Sequence, residues 1–212
     1  MTFKNSDGSI IIKNLIKTIQ SNKDYLSEID GKIGDGDHGI NMNKGFTLCE
    51  SKMQDKSCTM SEAFEILSNT LMNDIGGSMG PLYGVFFEAL SDASSEKEEI
   101  NATVFEEMIQ SGLAEIQDIG NAKKGDKTLL DTLIPAVESY SESISSGKDF
   151  KTALEDLKES ANIGWRSTED MVAKIGRASR LGERSRGVLD AGATSCYLII
   201  TSIASSIQEL IQ

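Results

Sequence analysis

Apolar residues recur at three- and four-residue steps along most of the chain, and this periodicity limits the fold more than any other feature of the sequence. Such spacing places apolar side chains on one face of a helix. The clearest stripes begin at Ile12, Ala63, Val104, Leu129, Ala153 and Tyr197. No run of alternating residues indicates a strand, and proline occurs only twice. We therefore predict an all-α fold of about eight helices in one domain, residues 1–212.

The glycines lie between these stripes, in four clusters near residues 31–39, 76–84, 120–125 and 176–192. A glycine at a helix end is usually only a C-cap. These four loops also carry Asp, His, Ser, Thr or Arg, which capping alone does not explain. We therefore expect the loops between the helices to hold the functional residues.

Charge and composition exclude several classes of protein. The net charge of −12 repels nucleic acid and anionic lipid, so a phosphate ligand would need a local cationic site or a bound metal. Three cysteines without a CxxC pair fit a reducing compartment. No apolar run approaches the roughly 18 residues of a membrane span, and the N-terminus does not resemble a signal peptide. We expect a cytoplasmic protein that binds neither nucleic acid nor membrane.

The first loop places Asp30, Asp35 and Asp37 within eight residues, separated by glycines that allow tight turns. Clustered carboxylates repel one another unless a cation neutralises them, and oxygen ligands suit a hard cation such as Mg²⁺. The chain has a single histidine, which excludes a multi-histidine zinc site. The spacing does not fit an EF-hand, because a glycine and a phenylalanine would occupy two ligand positions.

An Asp-Gly-Asp sequence by itself is most often a pair of solvated turns. The added presence of Asp30, His38 and Asn41 before an apolar helix favours a functional loop. His38 and Asn41 would lie near the N-terminus of that helix, where free backbone N–H groups bind phosphate.

Three further loops support an anion-binding site. Residues 74–84 combine glycines with Ser78 before a helix, which suits an anion but also close helix packing. Residues 120–128 resemble a P-loop, but Asp126 interrupts the motif and no strand precedes it, so we reject that interpretation. Residues 176–195 carry four arginines in an acidic chain, which predicts a positive lid over phosphate rather than only a solvated face.

Together these loops resemble the L-subunit family of dihydroxyacetone kinases, which also forms the C-terminal domain of single-chain enzymes. The resemblance spans most of the chain in one order, so it is more specific than any single motif. It departs from the family at Ser78-Met79 and at Gly120-Asn121-Ala122, where relatives often have Ala-Ser and Gly-Lys-Ala. The matching segments are GDGDHG at 34–39, GPLYG at 80–84, GDKTLLD at 125–131, GRASRLGERS at 176–185 and DAGATS at 190–195.

The resemblance implies a barrel of antiparallel helices with ADP or ATP bound at one end. It implies that Asp30, Asp35 and Asp37 hold two Mg²⁺ ions, and that these residues and Arg177 form the catalytic set. The nucleotide-binding residues that it implies are His38, Gly39, Ile40, Asn41, Ser78, Met79, Gly120, Leu129, Arg177, Asp190, Ala191 and Gly192.

The resemblance also implies partners. The family's ketone-binding histidine lies on a separate K subunit, and in the version coupled to the sugar phosphotransferase system a phosphohistidine protein charges bound ADP to ATP. A directly ATP-dependent ketose kinase stays open as an alternative function. Whether the chain forms a homodimer is also left open. A magnesium-dependent lyase of the terpene-synthase type is less favoured, because aromatic residues make up only 6% of the chain. A non-catalytic regulatory bundle is also less favoured.

Overall fold

The computed structural model describes residues 1–54 and 57–211, and helices dominate this part of the chain. The all-α prediction is confirmed, with nine α-helices among the described residues rather than about eight. The helices are α1 (Ser9–Ser21), α2 (Lys23–Ile33), α3 (His38–Met53), α4 (Met60–Asp74), α5 (Met79–Ser94), α6 (Ala102–Ile119), α7 (Leu130–Ser145), α8 (Phe150–Ser167) and α9 (Ala191–Leu210). Short 3₁₀ turns cover Asn5–Asp7, Thr168–Asp170 and Arg177–Ser185.

Eight of these helices form a closed ring. Going round it, α1 packs on α3, and α3 to α9 each pack on the next helix in sequence until α9 returns to α1. The ninth helix, α2, packs on α3, on α9 and on the turn at Arg177–Ser185. Short connections make successive packed helices antiparallel. The ring is the barrel that the family resemblance implied, and α2 accounts for the additional helix.

The apolar stripes of the ring helices meet in one continuous core. Near its centre the ring of Phe87 stacks on Phe64 with centroids 5.8 Å apart and contacts the edge of Phe86 at 5.3 Å. Phe46 from α3 meets the same ring at 6.3 Å. Aromatic contacts of this kind add about 0.5–1.5 kcal/mol each to the free energy of burial. The faces predicted from periodicity are therefore the faces that the barrel buries.

A two-stranded antiparallel sheet was not predicted. Strand β1 (Thr2–Lys4) pairs with β2 (Glu99–Asn101), with Phe3 opposite Ile100. Three-residue strands are too short to show alternation in sequence. The pairing fastens the N-terminus to the connection between α5 and α6, and the Asn5 amide next to it donates to Ser94 O at 2.9 Å.

Helices α7 and α8 approach each other closely at a proline and a glycine. Pro135 lies inside α7, and because proline has no N–H, the carbonyl of Asp131 lacks its helical donor. Gly164 of α8 faces this carbonyl, and a Cβ there would collide with it and lie 2.9 Å from Pro135 Cγ. Glycine at position 164 lets the two backbones touch.

None of the helices in the described part of the chain combines the length and the apolar composition that crossing a membrane requires.

We expect Gly164→Ala to lower the free energy of unfolding by about 1–3 kcal/mol, because the added methyl group meets backbone that cannot move aside. Alanine's better helix propensity, worth up to about 1 kcal/mol, opposes this effect without cancelling it. Urea unfolding followed by circular dichroism measures the change. The control Glu159→Ala, on the exposed face of α8, should stay within about 0.5 kcal/mol of wild type; equal stabilities for all three proteins would contradict the close contact.

Candidate functional site

A cavity of about 640 Å³ lies at one end of the barrel. All four glycine-bearing loops, in which we expect the functional residues, contribute to its wall. They bring together segments that are far apart in the chain, from Asp30 in the last turn of α2 to Gly192 at the start of α9.

The three predicted carboxylates meet at the mouth of this cavity. Asp30, Asp35 and Asp37 each offer an oxygen, and these oxygens all lie within 4.8 Å of one another. Asp30 is half-buried in the last turn of α2, and its Oδ2 accepts the backbone N–H of His38 at 3.2 Å. Gly34 makes room for it, since any Cβ there would collide with the Asp30 carboxylate. The backbone therefore holds the carboxylates together despite their repulsion.

The donor set fits a hard divalent cation. All three groups supply oxygen, and Asp35 and Asp37 are exposed to the cavity side of the loop, so open coordination positions are available to a ligand. Mg²⁺ prefers such carboxylate sites shared with phosphate oxygens. Arg177 contributes positive charge at the same place, because its guanidinium contacts the Asp35 carboxylate.

The N-termini of four helices lie around the cavity. His38 begins α3, Met79 begins α5, Leu130 begins α7 and Ala191 begins α9, and each of these residues lines the wall. Free N–H groups and the aligned peptide dipoles make a helix N-terminus favourable for an anion. The cavity thus pairs a cation site with surroundings that attract phosphate.

One of these N-termini, that of α9, already has an acidic side chain beside it, that of Asp190. Its carboxylate caps α9 by accepting the N–H of Ala193 at 2.7 Å. Burial raises the pKa of Asp190 to about 6, although the Ala193 hydrogen bond and the nearby Lys127 ammonium oppose the rise.

A buried hydrogen-bond chain lies beneath the carboxylates. Ser195 Oγ is 2.9 Å from His38 Nε2 and 2.7 Å from the Tyr83 hydroxyl, and it also contacts Gly192 O at 3.0 Å. Burial lowers the pKa of His38 below 6.5, with the Asp30 carboxylate opposing. The hydrogen-bond chain connects α3, α5 and α9 next to the carboxylates.

The arginine segment, residues 171–188, covers one side of the cavity. Of its four arginines, only Arg177 is among the residues that line the wall. The guanidinium of Arg186 contacts Glu183 and the carbonyl of Asp170 instead, and Arg180 and Arg184 are exposed outside the lining. Of the four arginines in the predicted positive lid, only Arg177 therefore lies at the cavity.

Most residues that the resemblance implied lie on the cavity wall: Asp30, Asp35, Asp37, His38, Asn41, Ser78, Met79, Gly120, Leu129, Arg177, Asp190, Ala191 and Gly192. Gly39 and Ile40 lie outside the lining. Gly39 packs against the backbone of α2 at Lys23 and Ser27, where a Cβ would not fit. Ile40 is 55% exposed on the outer surface of α3.

Sequence reasoning missed several wall residues. Tyr83, Leu82 and Ile116 are apolar-stripe residues that also reach the cavity, and periodicity gives no means of distinguishing them from the core. Lys127 also lines the wall, although it is almost completely buried. Its ammonium donates to backbone carbonyls, which supports the rejection of a P-loop, in which the lysine would bind phosphate.

The fold and the cavity define an all-α barrel protein with an acidic, glycine-looped site at one end. Residues 32–205 match the DAK2 domain family, and the chain therefore belongs to this family.

Named relatives cover nearly the whole chain. It is 36% identical over 88% of its length to the ADP-binding subunit DhaL of the PEP-dependent dihydroxyacetone kinase of Escherichia coli K12, and covers 89% of that protein. It is 39% identical over 86% of its length to the ADP-binding subunit DhaL of the PTS-dependent dihydroxyacetone kinase of Lactococcus lactis, covering 88%. These relatives confirm the family resemblance and the expected class of enzyme, a phosphotransferase.

The fold is also that of solved structures. The dihydroxyacetone kinase of C. freundii superposes with a TM-score of 0.72 at 24% identity, covering 95% of this chain and 34% of the longer one. The same enzyme in complex with AMP-PNP and Mg²⁺ gives a TM-score of 0.71 at 23% identity, with 97% and 35% covered. At this identity the likeness shows the fold, and this chain spans about a third of that enzyme.

Asp190→Asn should change the pH dependence of stability in the presence of a chelator. Asparagine keeps the oxygen that caps Ala193 but does not titrate. The pKa of Asp190 is about 6 in the folded protein and 3.8 in its unperturbed state. Between these two pH values the folded wild type holds a proton on Asp190 that the unfolded chain releases. Its stability relative to the variant should therefore fall by up to about 3 kcal/mol as the pH rises from 4 to 6. Urea titrations at several pH values measure it, and a constant difference would contradict the burial.

Ser195→Ala should destabilise the fold by about 1–3 kcal/mol, because His38 and Tyr83 lose a shared buried partner. His38 is the only histidine in the chain, so its ring resonances in a proton NMR spectrum report on the contact without assignment. We expect them to shift in this variant. The control Ser205→Ala, exposed on α9, should leave both stability and the resonances unchanged.

Proposed function

We propose that this protein is the nucleotide-binding subunit of a dihydroxyacetone kinase and relays a phosphoryl group through bound ADP and ATP. The convergence of Asp30, Asp35 and Asp37 within 4.8 Å at the mouth of a cavity surrounded by helix N-termini is the observation that carries the proposal. The names of the Escherichia coli and Lactococcus relatives support the choice of nucleotide and of ketone. We propose that residues 1–212 act as one such domain.

The three aspartates would hold the metal, which we propose to be two Mg²⁺ ions. When bound, magnesium neutralises the charge that develops on a transferring phosphoryl group. One divalent ion would leave the three carboxylates net negative, whereas two would make the site net positive, which favours an anionic phosphate. Asp30 is oriented by the His38 N–H, and Arg177 adds the positive charge of a guanidinium beside Asp35.

The nucleotide would extend from this acidic mouth into the cavity. Its phosphates would face the N-termini at His38, Asn41, Ser78, Met79 and Asp190 to Gly192. Its base would lie against the apolar wall formed by Leu129 and Gly120 with Leu82 and Ile116. A wall of this kind supplies apolar contact area for the base, while the polar groups fix the orientation of the phosphates.

The residues of this chain would position and shield the phosphoryl group rather than bond to it. Phosphoryl transfer depends chiefly on alignment and on stabilisation of charge. The only histidine, His38, has its Nε2 hydrogen-bonded to Ser195, so this nitrogen is not free to bind a ketone. We propose that a separate K subunit holds dihydroxyacetone, and that a cytoplasmic phosphohistidine protein of the phosphotransferase system recharges ADP.

A directly ATP-dependent ketose kinase is the second candidate. The chain is 28% identical to part of the L-erythrulose kinase of Pectobacterium atrosepticum, covering 32% of that protein. In that case ATP would exchange with solvent between turnovers, and no phosphohistidine partner would be needed.

The first experiment is to denature the purified protein and identify any released nucleotide by chromatography and mass spectrometry. Near-stoichiometric ADP that survives dialysis but not chelation supports the phosphotransferase-coupled function. Protein that is empty but binds and exchanges ATP with Mg²⁺ supports the directly ATP-dependent enzyme. Protein that binds no adenine nucleotide in the presence of Mg²⁺ overturns both.

Asp35→Ala should abolish retention of ADP while leaving the helical circular dichroism spectrum intact. Asp35 is exposed in a loop, so its removal costs little stability, but it takes away one of three metal ligands. The matched control Asp24→Ala, exposed on α2 outside the cavity, should retain ADP as wild type does. Normal ADP binding by the Asp35 variant would falsify the assignment of the metal site.

A further inference from the structure

Lys127 combines two unusual features for a lysine in a loop. Its side chain is only 1% exposed, and a buried ammonium is costly unless every donor is satisfied. Its φ angle is +64°, the one positive value at a non-glycine residue among the described parts of the chain. Such a conformation costs about 1 kcal/mol or more and persists only where the surroundings enforce it.

The Lys127 ammonium makes three hydrogen bonds, and all three acceptors belong to the arginine segment. Nζ donates to Met171 O at 3.1 Å, to Ser185 O at 2.5 Å and to Val188 O at 2.6 Å. Three donors thus meet three carbonyl oxygens, which satisfies the ammonium completely.

The three carbonyls bracket Arg177. Met171 precedes it in the chain, while Ser185 and Val188 follow it, so one side chain joins both ends of the segment that carries the arginine. Lys127 itself is adjacent in sequence to Thr128 and Leu129 of the cavity wall. The side chain therefore links the arginine segment to the part of the cavity wall formed by residues 127–130.

Other contacts also hold this segment, since its 3₁₀ turn packs on α2 and Gly187 N donates to Glu169 O at 2.7 Å, but neither of these joins its two ends. Its fully buried residues are Ala173 and Ser185, so it contributes little apolar surface to the core. Ser185 Oγ accepts from Ala173 N at 2.9 Å and donates to Gly182 O, which stabilises the segment internally. Lys174 N also donates to Asp126 O of the neighbouring loop at 3.1 Å. The ion pair between the side chains of these two residues contributes little, because Lys174 is 62% exposed.

We propose that Lys127 is a positioning residue, which clamps the two ends of the arginine segment to the cavity wall and thereby holds Arg177 beside Asp35. The Asp190 carboxylate supports the charged form of the ammonium, against the lowering of its pKa by burial. Lys127 contacts neither metal nor nucleotide in this assignment, and it acts on them only through Arg177.

The functional part of this inference rests on the proposed nucleotide site, but the clamp itself does not. A loosened segment should let a protease bind the backbone at its already exposed arginines more readily, whether or not nucleotide binds. Loss of Arg177 from the site should weaken binding of ADP with Mg²⁺. The two consequences can therefore be measured separately.

The test uses Lys127→Met, which keeps the length of the side chain but has no donor, and the control Lys124→Met. Lys124 lies in the same loop, is exposed and outside the cavity lining, and pairs with Glu138. An arginine-specific protease is applied to nucleotide-free protein, and cuts at residues 177–186 are timed by mass spectrometry. We expect cleavage to accelerate on the order of tenfold or more in Lys127→Met and to stay at the wild-type rate in Lys124→Met.

Binding of ADP with Mg²⁺, measured by calorimetry, then separates positioning from a merely structural role. Lys127→Met and Arg177→Ala should each raise the Kd on the order of tenfold or more, and the double variant should bind no more weakly than Arg177→Ala alone. Additive effects would mean that Lys127 does not act through Arg177 and would overturn the proposal. If Lys127→Met is cleaved at the same rate as the wild type, the clamp itself is overturned.

If Lys127→Met does not fold, Lys127→Gln decides, because its amide keeps two of the three N–H donors but is uncharged and one bond shorter. We expect its cleavage rate and its Kd both to lie above the wild-type values, and wild-type behaviour in both would overturn the proposal. If accelerated cleavage is seen but the wild type binds no ADP, the clamp stands and the proposed function fails.

Discussion

The contact between α1 and α9, which closes the helix ring, is the interaction on which the rest of the structure depends. These helices lie at opposite ends of the chain, and their apolar faces meet in the core. Polar bonds at the seam add to this burial, with Asn14 Nδ2 donating to Ser206 Oγ at 3.1 Å and Thr18 Oγ1 3.2 Å from Ser202 Oγ. Because α9 begins at the cavity, ring closure also completes the wall of the site.

The site combines features that attract an anion with a chain that is acidic overall. A net charge of −12 repels phosphate at long range, so attraction must be local. Four helix N-termini, one arginine and three carboxylates suited to a divalent cation supply it within one cavity. Only one of four arginines in the covering segment faces the cavity, which shows that the position of a charge, rather than the number of charges in a segment, determines the local potential.

Sequence reasoning succeeded where the determining interactions are local in the chain. The apolar stripes predicted the helices, and the aspartates at 30, 35 and 37 are close enough in sequence that a tight glycine turn brings them together. It failed for the strand pair at Phe3 and Ile100, whose partners are far apart and too short to form a pattern. It also gave Lys127 no role, because the carbonyls that bind its ammonium lie 44 to 61 residues away.

The sequence by itself determined the helical class, the family and the acidic loop, since periodicity and clustered motifs are properties of short segments. Only the tertiary structure decided which motif residues share a cavity. It placed Gly39 against α2 and Ile40 on the outside, although the resemblance implied that both bind nucleotide. It also joined His38 to Ser195, 157 residues away. The physical reason is that burial and hydrogen bonding between distant segments depend on how the ring of helices closes, which local spacing does not encode.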